Sequence, residues 1–159
     1  MTMESPKTSA PRGYAPADRD VASALLGDSR PLDAAGTHVH LSGEQAVDGL
    51  ALWLEPPVGV DEAYLGPVIA PGIGPSRRFY ELVFACANDA LAHGYERGYF
   101  TIKNRGLLHL LERTFRIDPV AVGWEPNTGA AQQWEVHVDL TDAVEQLRNV
   151  LERLTGTNV

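Results

Sequence analysis

Gly72, Ile73 and Gly74 stand in the run Pro71-Gly-Ile-Gly-Pro75, between an extended apolar stretch at residues 63–70 and a helical pattern that opens at Ser76. A glycine-rich turn before a helix leaves backbone N–H groups unpaired, and with the helix dipole these suit an anion such as a pyrophosphate. A phosphate-bearing cofactor is therefore the first expectation. For proton transfer, Glu55 ends one apolar strand and Glu62 precedes the next, so element order favours these two carboxylates as a base or as groups acting through one. A solvated strand end is the alternative for both. Tyr64, Tyr80 and Tyr99 supply phenols near the same segments.

Other constellations compete less well. His38-Val39-His40 puts two imidazoles on one strand face, and with Glu44 the spacing resembles the first metal motif of cupins. The second cupin histidine is missing and a long helix from Ser76 interrupts the strands, so these are read as surface histidines and no metal is expected. His137 alternates with valines and reads as a half-exposed strand residue that could meet the His38 pair across the sheet. His93 precedes Gly94 and suits a helix C-terminus, and His109 lies at the polar edge of a leucine-rich helix. Cys86, the sole cysteine, sits among Val83, Ala85 and Ala87 and reads as core, leaving no disulfide or cysteine metal cage. Neither a Gly-x-Ser-x-Gly elbow nor a Walker loop occurs, which sets hydrolase and NTPase readings aside.

With 159 residues, 44% of them apolar, the chain fits a single core at residues 14–159 behind a polar, mobile tail at residues 1–13. A net charge of −8 argues against nucleic acid or an anionic membrane as a general partner. No apolar run is long enough to span a bilayer and the first residues lack a secretory signal, so the expected compartment is the cytoplasm. Exposed edges of a mixed sheet make a homodimer reasonable.

These residues need a scaffold, and hydrophobic periodicity supplies its outline. A short helix follows Pro16 and stops at Gly27. Asp48-Gly49 is read as the turn of a hairpin between residues 44–47 and 50–54. Gly66 and Pro67 suggest a bulge or opening in the strand that carries Tyr64. Phe79, Leu82, Val83, Cys86, Ala90 and Leu91 recur at helical spacing up to the Gly94 stop. A strand at residues 99–103 leads to a helix N-capped by Asn104, whose Leu107, Leu108, Leu110 and Leu111 pack on the sheet. A second hairpin joins residues 120–124 and 133–139, with Trp53, Trp124 and Trp134 expected to pack in strand pairs. A last helix begins near Thr141. The fold class is α/β (α+β): a mixed, mostly antiparallel twisted sheet with helices on both faces and one parallel crossover.

This element order with its turn chemistry resembles the GNAT superfamily of acyl-CoA N-acyltransferases over residues 14–139. The family's turn carries Gln/Arg-x-x-Gly-x-Gly/Ala. Here Gly72 and Gly74 supply the glycines, Ile69 takes the Gln/Arg position and Pro75 removes one N–H donor. Asn104 followed by a helix to Phe115 resembles the family's Asn-x-x-Ala…Tyr…Gly-Phe segment. Leu107 replaces the alanine, Leu111 replaces the tyrosine that often protonates the departing thiolate, and Thr114 precedes Phe115.

The resemblance implies acetyl-CoA as co-substrate, its pyrophosphate on Gly72, Ile73, Gly74 and Ser76 and its arm near Asn104. A backbone N–H near Val68 or Ile69 would polarise the acyl oxygen. Arg77 and Arg78 could reach CoA phosphates or form a solvated face. A small-molecule or peptide amine would attack directly, with Glu55, Glu62 and Tyr64 as candidate catalytic groups. Tyr64, Tyr80 or Tyr99 would stand in for the missing acid, or the thiolate would leave to solvent. The missing Gln/Arg and tyrosine keep open a second reading, a GNAT-fold structural or interaction subunit without catalysis.

Overall fold

Period-two alternation of apolar residues builds one sheet of seven strands among the residues that the computed structural model describes, 11–43, 46–71, 76–124 and 126–156. The strands are β1 (Arg12–Gly13), β2 (Thr37–Ser42), β3 (Gly49–Leu54), β4 (Glu62–Ile69), β5 (Arg97–Ile102), β6 (Val120–Trp124) and β7 (Ala131–Asp139), in spatial order β1-β2-β3-β4-β5-β7-β6. Only β4 and β5 run parallel. The helices are α1 (Arg19–Leu26), α2 (Arg30–Asp33), α3 (Arg77–Ala92), α4 (Arg105–Thr114) and α5 (Leu140–Gly156). A parallel pair needs a crossover, and α3 provides it.

Alternation sorts the side chains onto two faces. Val39, Leu41, Leu50 and Leu52 point one way and bury against Ala22, Leu25 and Leu26 of α1 and Leu32 of α2. Ala51, Trp53, Ala63 and Leu65 point the other way into the main core with α3 and α5. On that same side Ile102 and Val136 receive Leu108 and Leu111 of α4. At about 1.5–3 kcal/mol per fully buried large apolar side chain, these clusters carry most of the favourable burial. Cys86 lies in the α3 core, where burial pushes its thiol well above the usual range.

Several elements differ from expectation. The first hairpin strand is Thr37–Ser42, because Val39 and Leu41 share an inward face and the whole strand pairs with β3. Of the expected strand at residues 44–47, Ala46 and Val47 lie in the connection and Glu44 and Gln45 fall outside the described residues. Arg12 and Gly13, placed in the tail from sequence, pair with Leu41 and His40. The short α2 carried no sequence signal we read. Trp124 is 62% exposed on the edge strand β6 rather than packed.

Candidate active site

The parallel pairing of β4 with β5 covers only Glu62–Arg97, Ala63–Gly98 and Tyr64–Tyr99. Beyond Tyr64 the strands part. The cause lies in the pairing with β3: Ala51 faces Val68 and Trp53 faces Leu65, so Gly66 and Pro67 together oppose one residue, Leu52. Such a bulge bends its strand and raises the local twist. Gly66 takes φ 121°, a conformation that side-chain-bearing residues rarely adopt. At the paired end the contact is tight: a Cβ on Gly98 would sit 3.1 Å from Leu140 Cδ2 and 3.3 Å from the Ala63 carbonyl. From Leu65 to Ile69, β4 therefore has β3 along one edge and no paired strand along the other. Polar backbone groups on that edge are open to a ligand.

The gap opens into a cleft of about 920 Å³. Leu65, Phe100 and Val138 line it from the helix side, with Tyr80, Val83 and Ala87 of α3, Leu107 and Leu111 of α4, and Phe115 just after α4. Tyr64, Thr101 and His137, which strand alternation places on the opposite face, line it too. Strands that part let the cleft run through the sheet, so two reactants could approach from opposite faces. The volume and apolar lining suit a long flexible arm.

Two expected site residues, Tyr64 and Val68, line the cleft. Tyr64 Oη lies 3.3 Å from Thr101 Oγ1. Gly72, Ile73 and Gly74 fall outside the described residues. Ile69 ends β4 opposite Leu50 and is not part of the cleft wall. Ser76 N-caps α3 by accepting from the Phe79 N–H at 3.3 Å. Asn104 N-caps α4 by accepting from the Leu107 N–H at 2.9 Å, as its position before the leucine run led us to expect. Arg77 Nε is 3.4 Å from Glu81, and burial raises that carboxyl above its usual range. Arg78 bonds Asp48 and, at 2.8 Å, Ser42 Oγ, so it ties α3 to the first hairpin.

Glu55 and Glu62 are held in different places. Glu55 bonds His38 Nε2 at 2.6 Å and Tyr95 Oη at 3.3 Å, and the His38 contact lowers its pKa. His38 in turn stacks on Trp53 with ring centroids 4.2 Å apart, away from the cleft wall. Glu62 lies in the paired segment opposite Arg97, 2.8 Å from the cleft residue His137 at Nδ1 and 3.6 Å from Arg97 Nε.

Of two further cleft residues, Tyr80 was one of the phenols expected as a substitute acid, whereas His137 was read only as a half-exposed strand residue. Tyr80 is 7% exposed, contacts Phe115 with ring centroids 6.1 Å apart, and is held above its usual pKa by burial, so it stays protonated. Thr114, in the last turn of α4, the helix whose usual tyrosine position holds Leu111, opposes that rise. His137 sits between two carboxylates, with Nε2 3.2 Å from Glu135. Only the pairing of β7 with β5 brings it there.

A sheet parted after one parallel step, crossed by a helix and pierced by an apolar cleft, defines the GNAT fold, and solved structures share it. A protein from Desulfovibrio desulfuricans described as an acetyltransferase of the GNAT family superposes with TM-score 0.57 at 18% identity, covering 80% of this chain and 84% of that one. Spermidine/spermine N-acetyltransferase SpeG from Vibrio cholerae, solved with manganese ions, gives 0.59 at 12% identity over 86% and 95%. The protein yncA of Salmonella typhimurium, described as an acetyltransferase and solved with its cofactor acetyl-CoA, gives 0.61 at 14% identity over 84% and 95%. No family model matches the chain, and no curated relative does. Among the described residues no helix is long and apolar enough to cross a membrane.

Proposed function

We propose that this chain is an acyl-CoA-dependent N-acyltransferase that moves an acetyl group to an amine by direct attack. The observation that carries the reading is the open edge of β4 beyond Tyr64, facing a cleft that reaches both faces of the sheet. When bound, acetyl-CoA supplies a thioester whose acyl carbon accepts the amine. The apolar side chains of α3 and α4 hold the arm and exclude water, which strengthens every polar contact inside. A backbone N–H at Val68, past the bulge, donates to the acyl oxygen as charge builds there. Glycines 72 and 74 with Ser76 take the pyrophosphate at the start of α3. Tyr80 stands on the helix side with the arm, so its hydroxyl gives the proton that the leaving sulfur needs. Tyr64 lies on the other side, where the amine enters. Acetyl-CoA-bound yncA and the polyamine activity named for SpeG support this assignment of co-substrate and acceptor.

A second reading, a GNAT-fold interaction subunit without catalysis, is favoured by Leu111 at the usual tyrosine position and by the commitment of Arg78 to Asp48 and Ser42. Titration with acetyl-CoA, followed by thiol assay after adding amines, separates the two. Saturable binding with thiol release supports the enzyme, and no binding at millimolar CoA contradicts it.

A further inference from the structure

We propose that His137 receives the proton of a cationic acceptor amine on the face of the sheet opposite α3, with Glu62 and Glu135 aligning the imidazole and the ammonium group. The inference deepens the acyltransferase reading and rests on it. Register places Tyr99 beside His137, Thr101 beside Glu135 and Arg97 beside Asp139, all on one face. His137 stacks on Tyr99 with ring centroids 5.5 Å apart and planes at 19°, which fixes the ring while leaving 36% of the side chain exposed. Tyr64 meets Tyr99 edge to face at 5.0 Å. Tyr64 and His137 thus line the cleft where it crosses the sheet, and the Tyr99 ring packs against both.

The charged groups around this part of the cleft favour a cation. From β4 come Glu62 and the phenol of Tyr64, from β5 Arg97 and the phenol of Tyr99, and from β7 Glu135 and Asp139, whereas β6 sets only Val120 opposite Glu135. Three carboxylates thus face Arg97, and along the cleft Lys103 and Arg116 are outnumbered by Glu112, Asp118, Asp139 and Asp142, while aromatic rings add attraction for an ammonium group.

The two ring nitrogens are not equivalent. Nδ1 is 2.8 Å from Glu62, and Nε2 is 3.2 Å from Glu135. When the imidazole is neutral with its proton on Nδ1, the Nε2 lone pair and the Glu135 oxygen face each other as two acceptors with no donor between them. An ammonium group supplies that donor to both. Glu62 first, and then Glu135, raises the imidazole above its ordinary pKa, bringing it closer to that of the ammonium it must deprotonate.

Alkylamines are protonated near neutrality and only the free base attacks. His137 takes one proton from R–NH3+. The lone pair so released forms the C–N bond, the C–S bond breaks with its electrons on sulfur, sulfur takes the Tyr80 proton, and the second N–H proton restores the phenol. The imidazolium then returns its proton to solvent. One ammonium and one thioester give one amide, one thiol and one proton.

The test uses the full chain with acetyl-CoA and three probe amines, spermidine, 1,4-diaminobutane and a lysine-containing peptide. Thiol release is read from about pH 6 to about 9.5, with acetyl-CoA binding measured by calorimetry on every variant. Wild-type kcat/KM should climb along a single ascending limb. His137→Gln should lose about 100-fold or more and flatten that limb, and added imidazole should restore part of the rate to His137→Ala. Glu135→Gln should shift the limb to lower pH because one carboxylate that favours the imidazolium is gone. That shift carries the test if the histidine variants fail to fold. A His137→Gln enzyme within about threefold of wild type, with the limb unchanged, overturns this inference and leaves the acyltransferase reading standing. So does a wild type that binds acetyl-CoA yet acetylates none of the probes. Failure to bind acetyl-CoA removes both.

Discussion

Tyr64 and Tyr99 form the last pair that β4 and β5 make, their rings meeting edge to face at 71° with centroids 5.0 Å apart. Below them the sheet is continuous. Above them the β3-side bulge at Gly66 and Pro67 turns β4 away, and every functional assignment proposed here follows from that parting. Past this pair the cleft has a helix side, lined by Tyr80 and Val83, and an open side, lined by Tyr64, Thr101 and His137.

Filling the helix side should block the co-substrate. Val83 lines the cleft from α3 and is partly buried against the main core. Val83→Trp should weaken acetyl-CoA binding by about tenfold or more, at a stability cost of about 1–3 kcal/mol from overpacking. Calorimetry alongside thermal unfolding measures both, and a folded variant with unchanged affinity would exclude this cleft as the binding site.

Removing the Tyr80 hydroxyl should affect the chemical step more than binding. Tyr80→Phe keeps the ring packing against Phe79 and Phe115, so KM should change little while kcat falls about 100-fold, in the range for a lost proton donor. Steady-state kinetics with a slow and a fast leaving thioester tests this: the variant should lose less with the better leaving group.

Much of the scaffold was legible because its signals are local. Asn104 is a cap in sequence and in structure, Gly94 takes φ 97° beyond the end of α3, and Gly66-Pro67 marks the bulge. Partners brought together by strand order were not. Nothing near His137 in sequence announces Glu62, because β7 inserts between β5 and β6 and carries the histidine beside the parallel pair. Arg78 read as a phosphate ligand or a solvated residue for a similar reason: Asp48 and Ser42 reach it only once the first hairpin packs on α3. The hairpin itself was misplaced because Asp48-Gly49 resembles a two-residue turn, whereas Gly49 already pairs with Ser42 as the first residue of β3.

Acid should release one identifiable clasp. Asp18 accepts both guanidinium nitrogens of Arg12, at 3.0 and 2.9 Å, and the Ala15 N–H at 2.9 Å, tying β1 to the turn before α1. The Arg12 bonds chiefly, with the Ala15 N–H, lower its pKa to about 2. A lowered folded-state pKa stabilises the fold above the unfolded value of about 3.9, and that contribution fades as pH falls through about 2. Asp18→Asn should therefore lower Tm slightly near neutrality, with the difference from wild type shrinking between about pH 4 and about 2. A difference independent of pH would mean that the clasp contributes through packing.

At the far end of α3, Asp89 Oδ2 accepts the Trp53 indole N–H at 2.8 Å and lies 3.0 Å from His40 Nε2. Trp53 is fully buried. Asp89→Ala leaves that N–H without its acceptor and should cost about 1–3 kcal/mol, while Asp89→Asn, which keeps an acceptor oxygen, should cost less. Denaturant unfolding with a Trp53→Phe double-mutant cycle separates the indole bond from the histidine contact.

A crystal structure with bound CoA tests the parting of the strands most directly. The account requires the arm between β4 and β5, main-chain polar contacts to the free edge of β4 at Leu65–Ile69, and the sulfur near the Tyr64–Tyr99 pair. CoA seated elsewhere, or a gap closed by continued β4–β5 pairing past Tyr64, would contradict it.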